Sequence, residues 1–242
     1  MALPKNLLTI YGRNAVLEAL EEQDLKVYAL HLSKSNKFSP KLNAIIMAAK
    51  QRGVEIKYHD RQSLSYISKN RKQDQGVALD IILENFKESS DFTSYKRYRI
   101  LAIDGVTNPQ NLGMIIRSCA AGKIDAIIIS KRGTASLVSP LTIKASVGAL
   151  FKIPIIYTNA LKESLNEFKL HGAEIINLSL EAKESLFDYI IPQRAIFILG
   201  NETEGVSEEI AQIATTALKI PMNRGVESLN VAVTAGIISF LE

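Results

Sequence analysis

Three short stretches of this chain carry side chains that an ordinary loop does not need. From Asn223 to Asn230, "NRGVESLN" sets Arg, Glu, Ser and Asn between a short apolar run and an apolar segment of helical pattern, Val231 to Leu241. A plain strand-to-helix connection needs one capping side chain and a turn glycine. In "LGNETEG", residues 199–205, two glycines frame two carboxylates. Glycine lets a ligand approach the backbone closely, and the two acids suit a cationic or neutral ligand better than a pyrophosphate. In "DGVTNPQNLGMIIRSC", residues 104–119, Asp104 ends an apolar run and Asn111 and Gly113 are expected as the cap and turn of a following helix. Arg117 is then expected about one turn into that helix. A cation near the positive end of a helix dipole is mildly unfavourable, so an anion or substrate explains it better. Taken singly, Asn111 reads equally well as a cap, and Ser228 and Asn230 read better as helix caps than as catalysts.

The elements around these corners bring them to one place. Residues 99–104, 125–130, 152–158, 174–180, 195–200 and 217–222 read as near-continuous apolar strands. Helical segments are expected around 113–122, 140–149, 160–171, 184–190, 206–214 and 228–241. Such alternation predicts an α/β fold with a parallel sheet covered on both faces. Ligands in these folds bind beyond the carboxyl ends of the strands. That is where Asn111, Arg117, Glu202, Ser228 and Asn230 are expected to fall.

Residues 84–98, polar and without amphipathic period, read as a linker between this unit (99–242) and a smaller one (1–83). In the smaller unit, "NAVLEALEEQ" and "PKLNAIIMAAKQRG" read as amphipathic helices, among strands "VYALHLS", "VEIKYH" and "GVALDIIL". Residues 1–83 hold 13 Lys/Arg against 8 Asp/Glu, and residues 84–242 hold 16 against 17. The net charge of +4 therefore originates in the first unit, as expected of a polyanion-binding module beside one that does something else, or equally of a solvated surface that happens to be basic.

A 47% apolar chain of 242 residues has enough material for substantial cores. The single cysteine, Cys119, cannot pair within the chain and suits a reducing, cytoplasmic compartment. The N-terminal "MALPKNLLTIYGRN" lacks the apolar stretch of a signal peptide, and no run has the length to span a bilayer. His31, His59 and His171 show no metal-ligand spacing, so no metal is expected. No G-x-G-x-x-G follows the early strands and no G-x-x-x-x-G-K-[ST] occurs, which argues against a phosphate-cradling cofactor.

"NPQNLGMIIRSC", "LGNETEG" and "IPMNRGVESLNVAVTAGI" resemble, in order and spacing, the three motifs of the SpoU/TrmH family of RNA ribose 2′-O-methyltransferases. "YGRNAVLEAL" and "QDQGVALDI" resemble the substrate-binding domain that precedes the methyltransferase in larger members, with Asp74 where the family usually has His. Length and domain order are closest to the members that methylate a guanosine of large-subunit (23S) ribosomal RNA. Another ribosomal position, tRNA, or a non-catalytic RNA-binding protein of the same fold are the alternatives. The resemblance implies a C-terminal trefoil knot, a homodimer and S-adenosylmethionine as cofactor. By the resemblance, Gly200, Ile220 and Leu229 bind that cofactor, with Leu199, Asn201 and Met222 adjacent. It further implies Arg117 as the residue that activates the ribose hydroxyl, either as a base or by orienting the 3′-phosphate, since a guanidinium ordinarily keeps its proton. Asn111, Glu202, Ser228 and Asn230 would hold Arg117 and the substrate in place.

Overall fold

The computed structural model describes residues 6–242. Strands β1 (Leu7–Tyr11), β2 (Lys26–Ser33), β3 (Glu55–His59) and β4 (Val77–Ile82) form a small sheet in the order β1-β4-β2-β3. Helices α1 (Arg13–Glu21), α2 (Pro40–Gln51) and α3 (Arg61–Ser68) belong to the same lobe. Ser39 caps α2 through Leu42 N, and Asp60 caps α3 through Ser63 N. Strand β1 and helix α3 have no counterpart in the sequence reading, because both are short.

The loop after α3 is organised by Asp74, which is fully buried. Its carboxylate accepts from Arg61 Nη1 at 2.5 Å, Ser68 Oγ at 2.9 Å and Gly76 N at 2.8 Å. The residue that departs from the family pattern is therefore a structural anchor in this chain.

Residues 84–98 are not featureless. They carry β5 (Phe86–Lys87), which pairs at the edge of the large sheet, and the single helical turn α4 (Ser90–Thr93). The large sheet continues with β6 (Tyr98–Ile103), β7 (Ala126–Ser130), β8 (Ile155–Thr158), β9 (Glu174–Leu178), β10 (Glu184–Ser185), β11 (Arg194–Leu199) and β12 (Thr216–Lys219). The order is β10-β12-β9-β11-β6-β7-β8-β5, and its pairings are parallel. Strand β11 thus sits between β6 and β9, both of which precede it in the chain.

The helices of this unit are α5 (Pro109–Ala121), α6 (Pro140–Ser146), α7 (Leu161–Leu170), α8 (Glu208–Ala211) and α9 (Val231–Ser239). Successive strand residues point to opposite faces. Leu101, Ile103, Ile127 and Ile129 pack with α5, α6 and α9, while Ile100, Ile128, Ile196 and Ile198 pack with α7 and α8. This double burial explains why the strands read as unbroken apolar runs. Helix α1 of the small lobe packs on this unit: Glu18 Oε1 accepts from Gly148 N at 3.0 Å, and Glu22 pairs with Lys152 at 3.2 Å.

Three expectations need correction. Residues 184–190 form no helix. Glu184 and Ser185 pair with β12, and a turn follows in which Ser185 accepts from Phe187 N and Asp188 N. Helix α5 begins at Pro109, not near 113, because Asn108 caps it through Gln110 N and Asn111 N, with proline at the first position, where its missing N–H costs nothing. Gly113 consequently lies inside α5 rather than in a turn. A Cβ there would stand 2.5 Å from Thr142 O and 2.6 Å from Ala145 Cβ, so the glycine is what lets α5 and α6 touch. No helix among the described residues is long and apolar enough to cross a membrane.

Candidate active site

The three corners meet beyond the carboxyl ends of β6, β11 and β12, joined by side-chain hydrogen bonds. Asp104, just past β6, accepts from Ser207 N at 2.8 Å and Ser207 Oγ at 2.7 Å. Ser207 precedes α8, but its hydroxyl is held by Asp104 and caps nothing. Asn201 ties its own loop: Oδ1 accepts from Thr203 N and Glu204 N, Nδ2 donates to Gly105 O, and its backbone pairs with Gly205. Gly200 makes that closure possible, since a Cβ there would lie 2.0 Å from Gly205 C. Asn201, expected beside the cofactor, thus spends its side chain on the loop's shape.

A second chain of bonds crosses the site. Asn111, displaced from the cap position by the earlier start of α5, is buried, and its Nδ2 donates to Glu202 Oε1 at 2.8 Å. Asn230 Nδ2 donates to Asn111 Oδ1 at 3.3 Å, while Asn230 Oδ1 accepts from Ala232 N at 2.8 Å and caps α9. Asn230 is therefore a cap and a bridge at once. Glu202, Asn111 and Asn230, from three separate corners, form one connected unit.

This unit borders a cleft of about 430 Å³. Its walls include Leu199, Gly200, Asn201, Glu202, Ile220, Met222, Ser228 and Leu229, eight of the residues named from sequence; Asn111, Asn230 and Arg117 do not line it. Ser228 is exposed there, with no hydrogen-bond partner among the described residues. Residues not named as site residues in the sequence reading also contribute: Leu178 at the end of β9, Ser179 and Leu180 beyond it, Glu204, Glu227, and Thr234 on α9. The signal for the first group was available, as they follow the carboxyl end of a parallel strand. Three carboxylates, Glu202, Glu204 and Glu227, line the cleft and no Lys or Arg does. Such a cleft suits a cation with an apolar body and repels polyphosphate.

Arg117 stands apart. It lies more than two turns into α5, exposed, with no hydrogen-bond or ion-pair partner among the described residues, and it does not line the cleft. With α5 starting at Pro109, Arg117 is far from the positive end of the helix dipole. Cys119, two residues on, is fully buried, and burial pushes its thiol up to about 12. A wider cleft of about 780 Å³ opens around Arg97–Arg99 and Phe187–Gln193, which include the start of β6, the end of the strands opposite these corners.

His31 and His59, separated in sequence, are hydrogen-bonded in the small lobe. Among the described residues no group of three or more His, Cys, Asp or Glu is placed to hold a metal ion.

A family model described as the SpoU rRNA Methylase family matches residues 98–240, and one described as RNA 2'-O ribose methyltransferase substrate binding matches residues 9–86. A 23S rRNA (guanosine-2'-O-)-methyltransferase RlmB of Xanthomonas campestris pv. campestris is 30% identical, over 96% of this chain and 94% of that protein. Its namesake from Neisseria meningitidis serogroup B is 28% identical, over 96% and 93%. A putative RNA methyltransferase of the TrmH family from Porphyromonas gingivalis superposes with a TM-score of 0.69 at 25% identity, over 97% of this chain and 88% of that one. The AdoMet-bound rRNA methyltransferase from Sinorhizobium meliloti shares the fold, with a TM-score of 0.68 at 23% identity over 96% and 85%.

Proposed function

The chain belongs to the SpoU rRNA methylase family, and from that membership we propose that it transfers a methyl group from S-adenosylmethionine to a ribose 2′-hydroxyl of RNA, a guanosine of large-subunit ribosomal RNA. The observation that carries the reading to these residues is the Glu202–Asn111–Asn230 chain at the edge of an acidic cleft. The cleft's chemistry fits the cofactor, whose sulfonium supplies an electrophilic methyl group when bound. Leu199, Ile220, Met222 and Leu229 offer apolar wall, Gly200 offers bare backbone, and the acids favour positive charge.

The catalytic residue in this reading is Arg117. A ribose hydroxyl is a weak nucleophile that must be aimed and relieved of its proton. The guanidinium holds the hydroxyl and its neighbouring 3′-phosphate, and the proton leaves to a phosphate oxygen or to water. Asn111, Glu202, Ser228 and Asn230 fix the ribose against it. Arg117 does not line its own chain's cleft, so we assign the protein as a homodimer in which this arginine serves the partner's site. The exposed apolar side chains Met114 on α5, Val233 on α9 and Phe240 just after it support that contact.

The same reading gives residues 1–83 the task of holding RNA and residues 99–242 the chemistry, with 84–98 between them, in a cytoplasmic enzyme. It also gives the C-terminal unit a trefoil knot. Support for the knot is that the chain inserts β11 between older strands and then returns α9 onto α5, where Lys123 N donates to Ser239 O and Arg99 Nη1 to Leu241 O. The test is methyl transfer from isotopically labelled S-adenosylmethionine to transcripts of large-subunit rRNA and of tRNA, mapped by mass spectrometry of nuclease fragments. One 2′-O-methylguanosine in the rRNA is expected. Label on a base, on tRNA alone, or nowhere refutes the reading.

A further inference from the structure

The small lobe contains a hydrogen-bonded chain of titratable groups that the proposed chemistry does not use. On one face of its sheet, Thr9 Oγ1 donates to Asp80 Oδ1 at 2.6 Å, and Asp80 Oδ2 meets His31 Nε2 at 3.0 Å. His31 Nδ1 in turn meets His59 Nε2 at 2.9 Å. His31 is buried, whereas His59, at the end of edge strand β3, is partly exposed. A carboxylate only accepts, so Asp80 takes the Nε2–H of His31 and leaves its Nδ1 to accept from His59 Nε2–H. The one ring nitrogen without a protein partner among the described residues is then His59 Nδ1.

The surroundings of that nitrogen point to an anion. Lys34 is exposed and its backbone N donates to His59 O; Lys57 lies two residues before His59 on β3. Lys57 reaches Glu55 at 3.2 Å and lies 6.0 Å from the ring centre of Tyr28, which is exposed. Asp60, the nearest acid, is occupied by Ser63 N and Oγ at the start of α3.

We propose that His59, flanked by Lys34 and Lys57, is a phosphate contact for the substrate RNA, and that filling it takes up a proton stored on the His59–His31–Asp80 chain. The proposal rests on the reading of this protein as an RNA methyltransferase, and places one part of its RNA-holding face. The groups facing His59 are His31 from β2, Lys34 after it, Lys57 on its own strand and Asp60 ahead of α3, with Asp80 of β4 behind His31. Burial, followed by the neighbouring His31, lowers the His59 pKa; Asp60 opposes this and Lys57 and Lys34 add to it. Burial works against the charged form of Asp80, but hydrogen bonds from His31 and Thr9 outweigh it and lower its pKa. A carboxylate that stays charged behind the two imidazoles balances the proton that arrives with the phosphate.

The sign follows. The free His59 is neutral at pH 7 and a bound phosphate raises its pKa, so RNA affinity climbs as pH falls through the bound value and levels off below the free one.

The experiment measures affinity of the full chain for a large-subunit rRNA transcript without cofactor, from pH 7.5 to 5.5, for the wild type, His59→Gln and Lys34→Gln. Wild-type affinity should rise by about tenfold, the equivalent of one pH unit of coupling. His59→Gln keeps a donor to His31 but cannot take a proton, and its profile should be flat. Lys34→Gln should lower the slope of log affinity against log salt by about 1. Nitrogen-15 NMR of the wild-type histidines, with and without transcript, reads the same site if the variant does not fold: the His59 pKa must rise on binding. An unchanged profile in folded His59→Gln, or an unmoved His59 resonance, overturns the proposal. Methyl transfer by the wild type to the same transcript is followed in parallel. Proton-linked binding without methylation would overturn the reaction and leave this site standing, and methylation with pH-independent affinity would do the reverse.

Discussion

Replacing Asn230 in two ways separates its two tasks. Its Oδ1 caps α9 through Ala232 N, and its Nδ2 reaches Asn111, which holds Glu202. Asn230→Ala removes both bonds. Loss of the cap costs about 1 kcal/mol, and the melting temperature of a chain this long falls by about 3 °C per kcal/mol. Asn230→Asp keeps an acceptor for Ala232 N and adds a favourable charge at the helix N-terminus. It cannot donate, however, and sets a carboxylate against Asn111 Oδ1 with Glu202 just beyond. Its melting temperature should stay within about 2 °C of the wild type. Both variants should lose about 10²-fold in single-turnover methyl transfer, the penalty of a misplaced reacting group, while cofactor affinity changes only a few-fold. Differential scanning fluorimetry and rapid-quench turnover on the same preparations give both quantities. Near-normal turnover by Asn230→Asp would show that the bridge to Asn111 has no part in the reaction, and that the corner is simply a capped helix.

Three further outcomes are expected. Arg117→Ala should abolish methyl transfer and leave cofactor affinity by calorimetry within a few-fold, because the residue lies outside the cleft; equal loss of both would refute that separation. Gly113→Ala should destabilise the fold by about 1–3 kcal/mol in urea unfolding, since its Cβ would meet backbone 2.5 Å away in α6; an unchanged midpoint would mean that α6 can yield there. Cys119 should ignore a thiol reagent in the native protein, because burial pushes its pKa to about 12 and a thiol becomes reactive only as pH approaches that value. Rapid labelling at pH 8 without denaturant would contradict its burial.

The large sheet was legible because its strands are buried on both faces and write themselves as apolar runs, such as Ile127 to Ile129. Its exceptions were short. Two residues of β10 borrow their geometry from β12, and nothing local distinguishes them from a helical turn. The start of α5 was misplaced although Pro109 marks the first turn, because Asn108 and Asn111 are both plausible caps and only the folded backbone chooses. The residues around the cleft could be named from their corners. The bonds that unite them could not, since Asn111 meets partners 91 and 119 positions away. The His31–His59 pair was missed for the same reason: spacing along a chain carries no information about two strands lying side by side.

The position of β11 has a consequence for how the protein is made. When residues up to the end of β9 have left the ribosome, β6, β7 and β8 can already assemble, but β9 has neither neighbour, since its partners β11 and β12 are still unmade. The nascent chain therefore carries two bare strand edges that face the same vacant seat, and such edges invite pairing with other chains. Only when Arg194–Leu199 arrives does one strand close both, against Tyr98–Ile103 on one side and residues 174–177 of β9 on the other. Contacts across so long a separation form slowly. The interval of synthesis between Leu178 and Leu199 is thus the window in which this polypeptide is most exposed to aggregation, and in which a chaperone holding the growing sheet would matter most.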